Sequence, residues 1–266
     1  MYRSFRYLTV MAIALLVGVM GFVTITPGAN AALAQGQQTT VTKTLRPFTS
    51  IQINGGGKAT LEFGPEPSVT IEGNSLIVDR LDATVEDGTL MLGQALTSAL
   101  DVTGLSELTY TIVTPSIEEI HLAGTVDLHI DPMPNQQSLV LGLTTGAEVF
   151  IPSIDAGSIT GKLDLLSTAH LAGSATSVQL QIFNGSELDA EQLQIGAADL
   201  EVKGISKATV RVTDALTGTA SEGSTVNYIS ETVDPAIKLS TLASINELAY
   251  TEWTVPAGLS TATPAA

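Results

Sequence analysis

The sequence contains no cysteine and is poor in charged and aromatic residues. The absence of cysteine excludes disulfides, thiolate zinc sites, cysteine nucleophiles and a lipid-modified cysteine. Charged residues make up 14% of the 266 residues, and the 27 acidic residues outnumber the 11 basic ones to give a net formal charge of -16. A chain with so few basic residues has no basic face of the kind that nucleic acid or anionic lipid requires as a partner.

The N-terminus has the three parts of a secretory signal. Arg3 and Arg6 precede an uncharged apolar stretch over 8–25, which ends in small residues that include Ala32-Leu33-Ala34. A basic segment, an apolar segment and an A-x-A site in this order predict export and cleavage after Ala34, with Ala31 as the alternative. An uncleaved membrane anchor is the competing interpretation, and it would be the protein's only membrane contact. The predicted location is therefore secreted or at the cell surface.

The remainder of the chain reads as short strands. Apolar and polar residues alternate in Ser50–Asn54, Ser68–Glu72 and Glu201–Lys203, which is the period of a half-buried strand. Glu86-Asp87-Gly88-Thr89 lies between two apolar runs, and its Asp-Gly pair predicts a tight hairpin because both residues accept positive φ. Helical periodicity is weak, and only Gln94–Ala99 indicates a short helical turn.

The second half repeats with a period near 20 residues, each unit reading strand, glycine turn, strand. A degenerate repeat of this length is typical of a β-solenoid, in which coils stack because none can bury its own apolar face. The glycines are expected at sharp corners of the coil. Their steps are 22, 39, 19 and 19, and the step of 39 is interpreted as two units with Thr168 or Ala169 in the skipped glycine slot. The corner glycines are Gly124, Gly146, Gly185, Gly204 and Gly223.

Other repeat folds fit less well. The units place Ser, Thr, Gly and Asp where a leucine-rich repeat needs leucine. The run Gly55–Thr60 has Lys and Thr where a calcium-binding nonapeptide repeat needs its third glycine and its aspartate, so that repeat is excluded. The glycines at 55–57 are read as a tight bend. A twisted β-sandwich stays open as an alternative, mainly for the first half.

The order of motifs resembles one known family. Phe48–Leu61 matches its glycine-rich opening strand, Val69–Asn74 its next strand, Leu81–Leu90 its hairpin and Gly185–Ala190 its repeated coils. The chain is similar in these residues to the "putative auto-transporter adhesin, head GIN domain" family, DUF2807, over residues 46–250. The resemblance implies a bacterial exported protein with a right-handed parallel β-helix and an adhesin-like role. Many repeats here have lost the family's G-S-G form.

Together these patterns predict an all-β protein, a right-handed parallel β-helix or solenoid with an N-terminal strand-and-hairpin lobe. Tyr250 and Trp253 are interpreted as closing the last coil, with stacking on a sugar as the alternative. The predicted division is a signal peptide at 1–34, a flexible segment at 35–45, a β domain at 46–250 (lobe 46–115, coils 116–250) and a disordered tail at 251–266.

Candidate catalytic residues were sought among the acids and histidines. The acids are scattered singly along the repeats, apart from the pair Glu118-Glu119, whereas a glycoside hydrolase needs two converging carboxylates. His121, His129 and His170 have no metal-ligand spacing and are expected to be surface or strand-edge side chains. No catalytic, cofactor-binding or metal residue is therefore assigned. The acids considered are Asp127, Glu148, Asp164, Glu187, Asp189, Glu201 and Asp214.

The sequence favours a non-catalytic surface or envelope protein that binds an extracellular glycan or a surface protein through a β-helix face. A glycan-active hydrolase or lyase, with carboxylates brought together by stacked coils, is the alternative. The two differ in one structural respect: an enzyme requires the carboxylates to meet in a groove, whereas a binding face does not.

Overall fold

The computed structural model describes residues 37–93, 108–133 and 135–249. The predicted signal peptide, the helical turn at 94–99, Tyr250, Trp253 and the tail at 251–266 lie outside these residues, and those expectations stay predictions. Within the described chain, no helix has the length and apolar character needed to cross a bilayer.

The described chain consists of parallel and antiparallel strands with one short helix. About 70% of it is strand, wound into a β-solenoid of about six turns, which confirms the predicted fold class. Helix α1 spans Ser75–Val78. The strands are β1 (Gln38–Thr44), β2 (Ser50–Phe63), β3 (Ser68–Asn74), β4 (Asp82–Glu86), β5 (Thr89–Gly93), β6 (Thr109–Thr114), β7 (Glu119–Ile130), β8 (Gln136–Thr144), β9 (Glu148–Leu163), β10 (Thr168–Ile182), β11 (Glu187–Val202), β12 (Lys207–Ala220), β13 (Thr225–Ile229), β14 (Ala236–Leu239) and β15 (Ser244–Glu247).

The solenoid has two main strand faces that meet at a column of turns. Face A is formed by the strand segments before the turns, such as 139–143 and 178–182, and face B by the segments after them, such as 148–151 and 187–190. Pairing between successive coils is parallel from β2 to β15, so residues of equal position stack on one another. The inward side chains are Val, Leu, Ile and Ala and form one continuous buried core.

The N-terminal lobe is part of the stack. β2 pairs in parallel with β7 over twelve consecutive positions, from Ser50 opposite Glu119 to Leu61 opposite Ile130. On its other side β2 pairs with β5 and β6, and antiparallel strands β4 and β3 then close that end. The Asp87-Gly88 hairpin between β4 and β5 is confirmed, with φ of 46° and 79°.

The segment 35–45 differs from its prediction as a flexible segment. Gln38–Thr44 forms β1, which pairs antiparallel with Ser68–Asn74 along its full length. Its alternating pattern places Val41 against the core, and β1 supplies hydrogen-bond partners for an edge of β3 that would otherwise be open. The polar residues of this segment predicted flexibility. Pairing with the free edge of β3 orders them instead.

Six two-residue turns join face A to face B, and both residues of every turn have positive φ. The second residue of each of the first five turns donates its N–H to the carbonyl of the first residue in the next turn. The N···O distances run from 2.8 Å, between Gly185 and Gly204, to 3.1 Å, between Leu166 and Asn184. The hydrogen-bond ladder therefore continues around the corner. The turns are Thr145-Gly146, Leu165-Leu166, Asn184-Gly185, Gly204-Ile205, Glu222-Gly223 and Thr241-Leu242.

The structure confirms positive φ at the predicted corner glycines, but it places the corner between Gly146 and Gly185 at different residues from those predicted. All five glycines have positive φ. The missing corner is occupied by Leu165-Leu166, with φ of 52° and 65°, whereas Thr168 and Ala169 lie in strand β10. The assignment was wrong because it looked for a small residue, while the corner accepts leucine at a conformational cost of about 1–2 kcal/mol per residue.

A column of buried serines follows the turns and holds them in place. Ser167 Oγ accepts from Asp164 N–H at 3.0 Å and donates to Leu143 O of the preceding coil at 3.2 Å. Ser224 repeats both contacts three coils later, from Ser221 N–H and to Val202 O. At Ser167 and Ser224 the hydroxyl thus links its own turn to the coil before it, whereas alanine follows the first and last turns, at Ala147 and Ala243. The column is Ser167, Ser186, Ser206 and Ser224, all fully buried.

Glycines Gly55 and Gly124 form a different kind of corner. They stack directly on one another in β2 and β7, which bend at these points, with φ of 133° and 101°. A Cβ on Gly124 would lie 2.0 Å from Gly55 O, whereas a Cβ on Gly146 would meet its first neighbour at 4.0 Å. The predicted bend at Gly55–Gly57 is therefore confirmed as a site of close backbone approach.

These two glycines give a matched test of the stacking. Gly124→Ala should lower the free energy of unfolding by about 3 kcal/mol or more, because the added carbon collides with backbone. Gly146→Ala carries only the positive-φ penalty, about 1 kcal/mol, or roughly 2–4 °C in Tm. Thermal unfolding followed by circular dichroism measures both. Equal losses in the two variants would contradict the close approach at Gly124.

Candidate functional site

An aromatic and imidazole column stands on face B. His129, Phe150 and His170 occupy equal positions in three successive coils. The rings of His129 and Phe150 stack with centroids 5.1 Å apart and an interplanar angle of 17°, and Phe150 lies 6.3 Å from His170. Phe150 is 41% exposed although it is a large apolar residue. The three side chains, hereafter the aromatic column, form a partly apolar platform on face B, in which the rings of His129 and Phe150 turn their faces to each other and the His170 ring is tilted by 50° to that of Phe150.

Carboxylates border the aromatic column. His170 Nε2 lies 3.5 Å from Glu148 Oε1, and its Nδ1 lies 3.2 Å from Asp189 Oδ2. Asp127 stacks directly beside Glu148 in the neighbouring coil. At the same position two coils beyond Glu148, Glu187 Oε1 accepts from Lys207 Nζ at 2.7 Å. Acids that are dispersed in the sequence thus line one edge of the platform, because the register stacks them.

The column continues as a polar ladder. Below His170 the same position is held by Asp189, Thr209, Asn227 and Asn246. Asn246 Nδ2 donates to Asn227 Oδ1 at 3.1 Å, and Asn227 Nδ2 donates to Thr209 Oγ1 at 3.4 Å. From His129 to Asn246 there are six strand spacings, roughly 29 Å at about 4.8 Å each. Face B therefore carries one line of aromatic and hydrogen-bonding groups, in which Thr209 alone is buried.

Face A carries a shallow depression of about 430 Å³. The His121 ring forms part of its floor by lying over Gly142, where a Cβ would stand only 2.3 Å from His121 Nδ1. Lys162 and Asp164 form one wall, and Gln52 and Asn54 the other. Asp164 is the one carboxylate among the lining residues, so a pair of carboxylates of the kind used in glycoside hydrolysis does not meet there.

The charged groups of face A form a local network. Lys162 Nζ lies 2.7 Å from Asp164 Oδ2, and Asn184 Nδ2 donates to Asp164 Oδ1 at 2.6 Å. The hydrogen bond from Lys162, reinforced by Asn184, lowers the pKa of Asp164. Lys203 and Gln181 lower the pKa of Glu201 in the same way. Lys162 and Lys203 also lie 5.2 and 5.4 Å from the centre of the Phe183 ring, within cation–π range.

The predicted surface positions of the histidines are confirmed in part. His129 is exposed and His170 is half-buried, both on face B, and His121 lies half-exposed on face A with Nε2 2.7 Å from Glu119 Oε1. Over residues 37–93, 108–133 and 135–249, no three His, Asp or Glu side chains are grouped to hold a metal. Asp214, also considered in the sequence, accepts from Thr213 Oγ1 at 3.2 Å.

Sequence reasoning missed the aromatic column. His129, Phe150 and His170 are separated by 21 and 20 residues, which is the repeat period, so an alignment of the repeats could have placed them together. The glycine spacing placed Thr168 or Ala169 at the skipped corner, which is two or more residues away from the turn that the structure has there. The register around Leu165-Leu166 is what brings Phe150 next to His170.

Comparison with known families supports the same fold and identifies the group. The family described as "Putative auto-transporter adhesin, head GIN domain", DUF2807, matches residues 47–231. The chain belongs to this family. The resemblance seen in the glycine-rich motifs is thereby confirmed. No curated protein matches the chain in sequence.

Three crystal structures share the fold of this head GIN domain. A "putative adhesin" from Bacteroides fragilis has a TM-score of 0.70 at 17% identity, covering 80% of this chain and 97% of its own. A "putative adhesin" from Parabacteroides merdae has a TM-score of 0.61 at 15% identity, with coverage of 80% and 97%. A "putative lipid binding protein" from Parabacteroides distasonis has a TM-score of 0.60 at 13% identity, with the same coverage. At these identities the likeness establishes the fold.

The face A network predicts acid sensitivity in this head GIN domain. The lowered pKa of Asp164 means that its ion pair stabilises the folded state above the ordinary carboxyl pKa, and that this stability is lost as pH falls through the lowered value. Asp164→Asn should lower Tm by about 1–3 °C at pH 7. The difference from the parent should shrink below about pH 4. Melting curves at pH 7, 5, 4 and 3 measure it.

A matched control is Asp82→Asn, which removes an exposed carboxylate on β4. A Tm difference for Asp164→Asn that stayed constant from pH 7 to pH 3 would show that the Lys162 pair does not stabilise the fold through ionisation.

Proposed function

We propose that this head GIN domain is an exported, non-catalytic adhesin that binds an extended extracellular glycan on face B. The observation that carries the proposal is the aromatic column of His129, Phe150 and His170, exposed on a rigid parallel sheet. Membership of an adhesin-like family and the two adhesin-like structural relatives support a surface role.

An aromatic ring that stays partly exposed on a strand face offers apolar contact to the C–H groups of sugar rings. Leaving Phe150 in water is unfavourable, and covering its exposed ring contributes about 25 cal/mol for each Å² removed from water. Its position is fixed by His129 on one side and His170 on the other. A ligand that covers the ring therefore gains this energy without first having to order the side chain.

The groups beside the platform suit hydroxyls. The carboxylates of Glu148 and Asp189 accept hydrogen bonds from sugar hydroxyls, and the amides of Asn227 and Asn246 both donate and accept. The strip of roughly 29 Å from His129 to Asn246 is long enough for several sugar units in a row. A ladder of equally spaced groups favours a repeating polymer over a single small molecule.

The geometry favours binding over catalysis. The acids of face B stand on an open sheet, and Glu148 and Asp189 are each engaged by His170. The depression on face A has one carboxylate. Neither surface therefore encloses the pair of carboxylates that the hydrolase interpretation requires. Export rests on the predicted signal at 1–34 and on the family.

Phe150→Ala tests the proposal. The purified protein is applied to a broad glycan array, with and without calcium, and the bound class is then titrated by calorimetry. Loss of the ring should weaken binding about tenfold, equivalent to about 1.4 kcal/mol. Phe183→Ala is the control, because it removes a half-buried aromatic ring from face A and leaves face B unchanged.

Three results would count against the proposal. If Phe183→Ala abolishes binding and Phe150→Ala leaves it unchanged, the binding site lies on face A. An array without any binding would direct the search to a protein ligand of the cell envelope. Release of shortened glycans from the bound class would instead restore the hydrolase or lyase alternative.

A further inference from the structure

The corner between the two faces carries an exposed apolar strip. Leu166, Ile205 and Leu242 are the second residues of alternate turns and are 72%, 80% and 93% exposed. Every one of them has positive φ, where a β-branched residue such as Ile205 is a conformational outlier. Exposure and unfavourable backbone geometry both argue against large apolar side chains here. Within the chain, two of them lie over the glycine of the next turn: Leu166 Cδ2 lies 2.8 Å from where a Cβ on Gly185 would stand, and Ile205 Cγ1 lies 3.8 Å from the same point on Gly223.

The strip has a regular period. Glycine occupies the second position of the turns between, at Gly146, Gly185 and Gly223. The order along the corner is therefore glycine, leucine, glycine, isoleucine, glycine, leucine. Large side chains recur every second coil, about 9.6 Å apart, along a corner roughly 24 Å long. We call this set of six positions the corner comb.

We propose that the corner comb is a docking surface for a second copy of this chain, arranged antiparallel. Two combs of equal period interdigitate when the large residues of one face the glycine positions of the other, which at Gly185 requires the exposed side chain of Leu166 to turn away from the glycine that it covers. An antiparallel pairing achieves this for all six turns at once: Leu166 faces the partner's Gly223, Ile205 the partner's Gly185 and Leu242 the partner's Gly146. A parallel two-fold pairing places equal turns together and sets leucine against leucine.

The charges beside the comb agree with this register. Glu187 and Lys207 follow the third and fourth turns and form an ion pair within the chain. In the antiparallel pairing the third turn meets the fourth turn of the partner. Glu187 then faces the partner's Lys207, and Lys207 the partner's Glu187. Four charges alternate in sign around the two-fold axis, which favours this pairing electrostatically.

The strip is small, which sets the strength of the association. Three exposed side chains on each copy bury less than the roughly 1,200–2,000 Å² of a stable interface. We expect a dimer with a dissociation constant on the order of 100 µM, populated where the chain is concentrated. An anionic bilayer is disfavoured as the occupant, because the chain carries a net charge of -16.

A double variant separates association from folding. In Leu166→Asn with Ile205→Asn, the apolar contacts are lost, while asparagine is favoured over leucine and isoleucine at positive φ. The variant should therefore melt at a higher temperature than the parent and dimerise at least tenfold more weakly. Sedimentation equilibrium between 10 µM and 1 mM measures the dimer. Leu76→Asn, which removes an exposed leucine from α1, is the control and should leave the dimer unchanged.

Cross-linking tests the register, since the chain has no cysteine of its own. Asn184→Cys places a thiol half a coil from the proposed two-fold axis, so that it lies one coil, about 4.8 Å along the comb, from its symmetry mate. Thr145→Cys places it five coils away, about 24 Å. Under mild oxidation only Asn184→Cys should give a disulfide-linked dimer.

Three outcomes would overturn the proposal. They are a chain that stays monomeric to 1 mM, a dimer that the double variant leaves intact, and equal cross-linking of Asn184→Cys and Thr145→Cys. If the chain forms no dimer in solution, binds zwitterionic phosphatidylcholine vesicles and loses that binding in the double variant, the occupant of the comb is a lipid surface instead.

Discussion

The left-handed two-residue turn at each corner is the constraint on which this structure depends. Coils can stack only if the chain reverses between face A and face B without interrupting the ladder, and the turns do so by donating to one another. Residues such as Leu165 and Leu166 must adopt positive φ to keep this geometry, at about 1–2 kcal/mol each. The buried hydroxyls of Ser167 and Ser224 offset part of that cost by bonding the turn to the coil before it.

Strict stacking turns distance in the sequence into proximity on the surface. His129, Phe150 and His170 are about one repeat apart in the chain and adjacent on face B. The core needs only apolar residues of similar size at each inward position, so the outward residues can differ from coil to coil at little cost to stability. A binding surface on this fold is therefore a property of columns of residues, and a change in the corner register would disperse it.

The fold could be predicted from the sequence to a large extent, and the surface to a much smaller one. Glycine spacing fixed the period, and Asp87-Gly88 marked its hairpin, because both depend on local backbone conformation. Gln38–Thr44 was read as flexible because its partner, β3, lies 30 residues further on and supplies the order. The aromatic column required a register accurate to one residue, and the corner at Leu165-Leu166 contains no glycine to reveal it.

The corner comb and face B would act together if both proposals hold. In the antiparallel pairing, the two-fold axis lies across the comb, so the B faces of both copies lie on the same side of the dimer. Each copy then presents its aromatic column to the same surface. A single platform centred on Phe150 supports only modest affinity, but two linked platforms convert the second contact into an intramolecular one and raise the overall affinity by a factor of about 10²–10⁴. A weak dimer would then form mainly where a polymeric ligand holds two chains together, which couples self-association to the density of the glycan.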